Sequence, residues 1–132
     1  MSIRPFYEDT DIALARYALG KGVLAFSTMR PGGVSQGSYA SMNINAYCGD
    51  TAEHIAENRR RLAGALGLEP DQILVPHQVH GTETRVVDAQ LLNSPSSERA
   101  ALLEGVDALT TNVPGVCIGV STADCVPVLL YD

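Results

Sequence analysis

Two histidines, His77 and His80, stand in the stretch VPHQVHGTETRVVD, directly after an apolar run that reads as a strand. A cysteine, Cys125, stands in VSTADCVPVLLYD between a polar turn and another apolar run. Imidazole and thiolate together suit zinc or copper, or alternatively a nucleophile with its general base. His80 precedes Gly81 in a turn, so its ring is expected to point out of the sheet end. Cys125 takes an equivalent position among Ser121, Thr122 and Asp124, and strand ends are where α/β folds bind ligands. Plainer readings exist for both, since free cysteines commonly just pack and turn histidines commonly just hydrogen-bond. Two donors also fall short of the three that zinc takes from protein. His77 is the nearest third candidate, while Cys117, inside GVCIGV, and Cys48, in a loop, read as structural.

These residues need elements to position them. ILVP and TRVV read as strands flanking the HQVHGT turn, and GVCIGVS and VPVLLY read as β-rich runs on either side of TADC. Upstream, Asp50 followed by Glu53 resembles a capping box and predicts a helix start. Ile55, Leu62, Ala63 and Leu66 then share one face, and Gly67 suits the left-handed residue that ends a helix. Arg59 falls on that same inward stripe, where it would snorkel, form a structural ion pair or meet an anionic ligand. The stretch VLAFSTMRPGGVSQGSYASMNINAYCGD opens as a strand and becomes a long irregular segment, of a kind that is either functional or a surface excursion. NSPSSERAALLEGVDA reads as a loop and a short helix capped by Ser96 or Ser97. Strands and helices with nearly continuous apolar runs predict an α/β fold with a sheet covered on both faces.

The 132 residues suit a single domain over 1–132, one able to bury roughly two-thirds of the surface of its unfolded chain. A net charge of −6 argues against a nucleic-acid binder, which would show a basic patch, and the run Arg59-Arg60-Arg61 is too short to reverse this. No apolar run reaches the roughly 20 residues that span a bilayer, and the first residues lack the core of a signal peptide. Cys48, Cys117 and Cys125, odd in number and widely spaced, fit a reducing, cytoplasmic compartment. The run VPVLLYD belongs in a sheet interior, so its place at the end of the chain predicts a truncated sequence.

STMRPGGVSQGSYASMNIN, GD before NRRRLAGALGL, HQVHG, GVDALTTNVPGV and STADCVPVLLYD follow one another in the order of the YfiH/YlmD family. These are the laccase-domain or "polyphenol oxidase" proteins, regarded as purine nucleoside phosphorylases, and the resemblance runs from about Phe26 to Asp132. It implies a layered sandwich of mixed β-sheet flanked by helices, similar to the cysteine hydrolases of the cytotoxic-necrotising-factor type, with a C-terminal part missing from this chain. It further implies a zinc site, with copper also reported, in which His80 and Cys125 are two ligands. The third, a histidine of a HAGWRG motif, has no counterpart here. Arg30, Asn43 and Arg59 match positions lining the family's substrate pocket, with the arginines as anion partners. Gln78 is a pocket hydrogen-bonder on this reading, or simply part of its turn, and Asp124 a supporting acid or a proton acceptor, or an ordinary turn aspartate.

The implied activity is phosphorolysis of adenosine, inosine, guanosine or methylthioadenosine to base and ribose 1-phosphate, with adenosine deamination beside it. Purine nucleosides and phosphate are then the partners, and the full-length form is expected to be monomeric. Two alternatives stand: a metal-free hydrolase with Cys125 as nucleophile and His80 as base, and a non-catalytic nucleoside-binding fragment. A multicopper laccase is disfavoured, because such enzymes need many histidines and this chain has three.

Overall fold

A computed structural model describes Arg4–Pro5 and residues 12–123 and 125–132. The fold is mixed α/β, with several small sheets and three α-helices among the described residues. The chain divides into two compact units, residues 1–66 with 128–132 and residues 67–127.

In the first unit β1 (Arg4–Pro5), β2 (Leu14–Tyr17) and β3 (Ala25–Thr28) form an antiparallel sheet in the order β1-β2-β3. The register sets Leu14 opposite Thr28 and Tyr17 opposite Ala25. Leu14, Ala15 and Ala25 are buried, and the Tyr17 hydroxyl meets Ser27 Oγ at 2.9 Å across the pair.

Helix α1 (Ala52–Leu66) forms where its apolar periodicity predicts, and Gly67 follows it at φ +71°. Its start differs from the expectation. Thr51 Oγ1 accepts from the His54 amide at 3.3 Å, so Thr51 is the capping residue. Asp50 instead accepts from the Thr51 amide at 2.8 Å through Oδ1 and from Ser35 and Asn43 of the preceding loop through Oδ2, and Thr51, itself a favoured capping type, takes the cap. The buried face also differs in detail. Ile55, Asn58, Leu62 and Ala63 are buried, whereas Arg59 is half-buried. The polar residue at the centre of the inward stripe is therefore Asn58.

In the second unit the strands form two parallel pairs. β4 (Ile73–Leu74) pairs with β7 (Cys117–Ile118), and β5 (Thr84–Val86) with β6 (Ala108–Thr110). Parallel partners require crossover connections, and α2 (Ala89–Leu92) and α3 (Ser96–Leu102) lie within them. Asp88 caps α2 by accepting from Leu91 N at 2.8 Å. α3 begins after Pro95 with no side-chain cap, so neither Ser96 nor Ser97 serves as expected; both lie inside the helix. Leu74, Val87, Leu91 and Leu103 make the core, with Leu109, Val116 and Ile118 packed against it.

The run VPVLLY does not form the expected strand. Val126, Val128, Leu130 and Tyr131 are exposed, and residues 126–132 pair with no described strand. Strand geometry is stabilised by a neighbouring ladder, and apolar composition alone does not supply one. Among the described residues no helix is long and apolar enough to cross a membrane.

Candidate active site

The parallel β4–β7 pair sets the course of the loops that leave it. Ile73 lies opposite Cys117 and Leu74 opposite Ile118, and Gly119 N donates to Leu74 O at 3.0 Å. Beyond it, the side chain of Gln78 continues the ladder to Ser121. Its Oε1 accepts from Ser121 N at 2.7 Å and its Nε2 donates to Ser121 O at 3.0 Å. The loops carrying His80 and Cys125 therefore leave the same ends of two adjacent parallel strands and are held together by an amide acting as a peptide group. The resemblance places Gln78 at the ligand; in the structure one hydrogen and one lone pair of its amide are committed to Ser121.

The HQVHG turn has a second anchor. The Asp107 carboxylate accepts from Val79 N at 3.1 Å and His80 N at 3.0 Å. His80 has φ +59°, the one non-glycine residue with positive φ among those described, a conformation that costs on the order of 1–2 kcal/mol for an L residue. Successive amides around a left-handed residue form an anion-binding concavity, and Asp107 fills this one from within the chain. The amides of Val79, Gly81 and His80 and the nearby His80 ring hold the Asp107 carboxyl below the ordinary carboxylate range, the Val79 amide foremost. Asp107 is itself fixed, because Asp107 N donates to Glu83 O at 3.0 Å at the start of the β5–β6 pair. Reading residue types in isolation missed it, although GVDALTT is among the stretches that carry the family resemblance.

His80 and Cys125 are both exposed, and neither the His80 ring nor the Cys125 thiol makes a hydrogen bond among the described residues. Thr122 Oγ1 donates to Cys125 O and shapes the second loop. Asp124 lies outside the described residues. His77, the third metal candidate, is engaged elsewhere: its Nδ1 meets Glu104 Oε2 at 2.6 Å, and its backbone bridges to Leu103 and Gly105.

The remaining candidates belong to the first unit, in the irregular segment after β3. Arg30 is exposed, with Nε donating to Ala40 O at 3.0 Å. Asn43 Nδ2 donates to Asp50 Oδ2 at 3.1 Å and to Cys48 Sγ at 3.2 Å, while its Oδ1 accepts from Asn45 N at 3.1 Å. Both amide hydrogens of Asn43 thus shape the loop. The organiser is Asn58, fully buried on α1. Its Oδ1 accepts from Val34 N at 2.8 Å, and its Nδ2 faces Ser35 Oγ, Ser41 O and Asn43 O at 2.9, 3.2 and 2.8 Å. Ser35 in turn donates to Asp50 Oδ2 at 2.5 Å. That hydroxyl, with the Thr51 amide and Asn43, holds the Asp50 carboxyl below its ordinary value against the opposing effect of burial. The pattern NRRR draws attention to charge, and Asn58 is easily overlooked beside it.

Imidazole and thiolate are the right donor types for a borderline or soft metal. The fit stops there. Among the described residues no group of three or more His, Cys, Asp and Glu side chains could hold a metal ion, and His80 with Cys125 supplies two donors where zinc takes at least three.

Residues 24–132 match the protein family described as multi-copper polyphenol oxidoreductase laccase. The chain belongs to that family. Within the laccase-type family it is 44% identical over 107 residues to a purine nucleoside phosphorylase of Bacteroides thetaiotaomicron, covering 81% of this chain and 40% of that protein. It is 41% identical over 112 residues to adenosine deaminase RL5 from an unknown prokaryotic organism, covering 85% of this chain and 43% of that protein. Among solved structures it is similar to YlmD from Geobacillus stearothermophilus, with TM-score 0.75 and 30% identity over 92% of this chain and 45% of that one. The chain thus spans less than half the length of these relatives.

Proposed function

We propose that this chain carries the histidine–cysteine part of a purine nucleoside phosphorylase site, with adenosine deamination as a second activity. The observation that carries the reading is the β4–β7 pair with its Gln78–Ser121 continuation, which sends the His80 and Cys125 loops from the same strand ends. The names of the relatives supply the substrate class, purine nucleosides and phosphate.

In phosphorolysis a phosphate oxygen bonds to C1′ of the ribose as the C1′–N9 bond breaks, and the departing base takes up a proton. The ribose passes through oxocarbenium character, as in glycoside cleavage. A chain performing this must hold an anion in line with the sugar, and positioning alone is worth several kcal/mol. Arg30 and Arg59 are the cations proposed for phosphate. Asn43 acts by shaping the loop that presents Arg30, and Gln78 by holding the two strand-end loops together, each with a lone pair left for the ligand. Asp124, outside the described residues, is proposed as a supporting acid or a proton acceptor. His80 and Cys125 are the two donors offered to zinc, or to copper. A third protein donor has to come from outside the described residues.

The test is release of adenine and ribose 1-phosphate from adenosine and phosphate. His80→Ala and Cys125→Ala are each expected to lower kcat/KM at least about a hundredfold, the scale of losing a ligand or its support. Wild-type rates in both variants would sink the proposal. Inactivation by iodoacetamide with indifference to chelators would transfer the site to a metal-free cysteine hydrolase. Nucleoside binding without turnover would leave a binding fragment.

A further inference from the structure

We propose that Asp107 is a positioning residue for His80, holding it in its left-handed backbone conformation by accepting from the Val79 and His80 amides. The inference rests on the reading of His80 as a site residue, but its structural half can be tested without that reading.

A histidine has no intrinsic preference for φ +59°, and a glycine would take that conformation without strain. Something outside the turn must therefore stabilise the arrangement. Amides converging around a left-handed residue attract an anion, and a charged acceptor makes stronger hydrogen bonds than a neutral one. Asp107 is the acceptor present, at 3.1 and 3.0 Å from the two amides. It is also suited to act as a fixed point. Val106, the residue before it, is 1% exposed in the core, and the Asp107 and Ala108 amides both donate to Glu83 O. The carboxylate thus connects a rigid part of the second unit to a turn that has little packing of its own, Val79 being 53% exposed. The arrangement leaves the imidazole side chain clear of the clamp, because the contacts fall on the backbone. Asp107 touches no reacting atom and acts only through the direction in which His80 points.

The experiment reads amide hydrogen exchange residue by residue in wild type, Asp107→Asn and Asp107→Ala. The expected result is exchange at Val79, His80 and Gly81 that is about tenfold faster or more in Asp107→Ala. Asp107→Asn, which keeps one acceptor oxygen and the side-chain shape, should lie between and guards against an alanine variant that fails to fold. The Gly119 amide on the neighbouring pair should be unchanged, and excess formate should slow exchange again in Asp107→Ala by filling the vacated concavity. A Val106→Ala variant separates general destabilisation, since it should lower Tm without selecting these three amides. Unchanged exchange at the three amides in both Asp107 variants would overturn the proposal. Faster exchange with wild-type phosphorolysis, in a protein that His80→Ala inactivates, would also overturn it, because the clamp would then not serve the histidine. Should His80→Ala itself remain active, the site reading fails while the exchange data still decide whether Asp107 holds the turn.

Discussion

The segment after β3 and the loops after β4 and β7 solve the same problem with opposite materials. Both are largely irregular, and side chains do much of the work of holding them. In the first, a fully buried helix residue, Asn58, reaches into the loop and satisfies Val34, Ser35, Ser41 and Asn43 from inside. In the second, Gln78 and Asp107 grip backbone atoms from half-exposed positions and leave the His80 ring and the Cys125 thiol at the surface. A loop clamped through a buried side chain gains rigidity at the expense of its own polar groups, as Asn43 shows. A loop clamped through its backbone keeps its chemical side chains for another partner. The difference leaves the His80 and Cys125 side chains open to another partner, whereas in the first region the clamp fixes the backbone of the loop that carries Arg30 and Asn43.

The most disruptive way to break the contrast is Asn58→Ala. It strips a part-buried amide, a buried hydroxyl and two part-buried carbonyls of a shared partner, and unsatisfied buried groups cost about 1–3 kcal/mol each. A loss of roughly 3 kcal/mol in denaturant unfolding is expected; a loss too small to measure would show that the loop holds itself. Gly33→Ala comes next. A β-carbon there would sit 1.9 Å from Ser41 O, so backbone must shift, and a loss of about 2 kcal/mol is expected, in the range of overpacked sites. Gln78→Glu is milder. The ionised side chain keeps the acceptor for Ser121 N and loses the donor to Ser121 O, for about 1 kcal/mol. On the proposed function it should also lower turnover more than Asn43→Asp does, because it loosens the link between the His80 and Cys125 loops.

A smaller effect lies in acid. The Asp50 carboxyl is depressed from 3.8, chiefly by Ser35. Its contribution is therefore present above the unfolded value and is lost as pH falls through that value toward the folded one. The stability gap between wild type and Asp50→Asn should be constant near neutrality and shrink below pH 3.8; a gap independent of pH would remove the carboxylate from the clamp. Smallest of all is Arg60→Ala. Arg60 meets Glu57 at 2.6 Å on the exposed side of α1, and Arg61 also reaches that carboxylate, which is held down to about 2 mainly by Arg60 and then Arg61. Exposed pairs contribute little, so Tm should not change measurably.

Some of these features are legible from residue order alone. Helix α1 announces itself through period and terminal glycine, because both signals are local. His80 and Cys125 are legible as a pair through motif order, although nothing in their spacing places them at adjacent strand ends. The inward polar residue of α1 differs from the expectation by one position. Asn58 and Arg59 lie about 100° apart on the helix, and the apolar pattern tolerates either; the backbone of residues 34–43, needing both donor and acceptor, selects the amide. Asp107 is invisible as a site residue in the sequence because an aspartate before a strand has many uses.

Composition and local pattern by themselves determined the α/β character, the helix, the acidic net charge and the residues able to do chemistry. Tertiary structure alone decided that Gln78 completes a ladder, that His77 turns to Glu104, that Asp107 accepts from the His80 amide and that VPVLLY forms no described strand. The physical reason is that helices and turns draw on neighbours in sequence, whereas strand pairing and carboxylate–amide contacts depend on groups that only folding brings within hydrogen-bond distance.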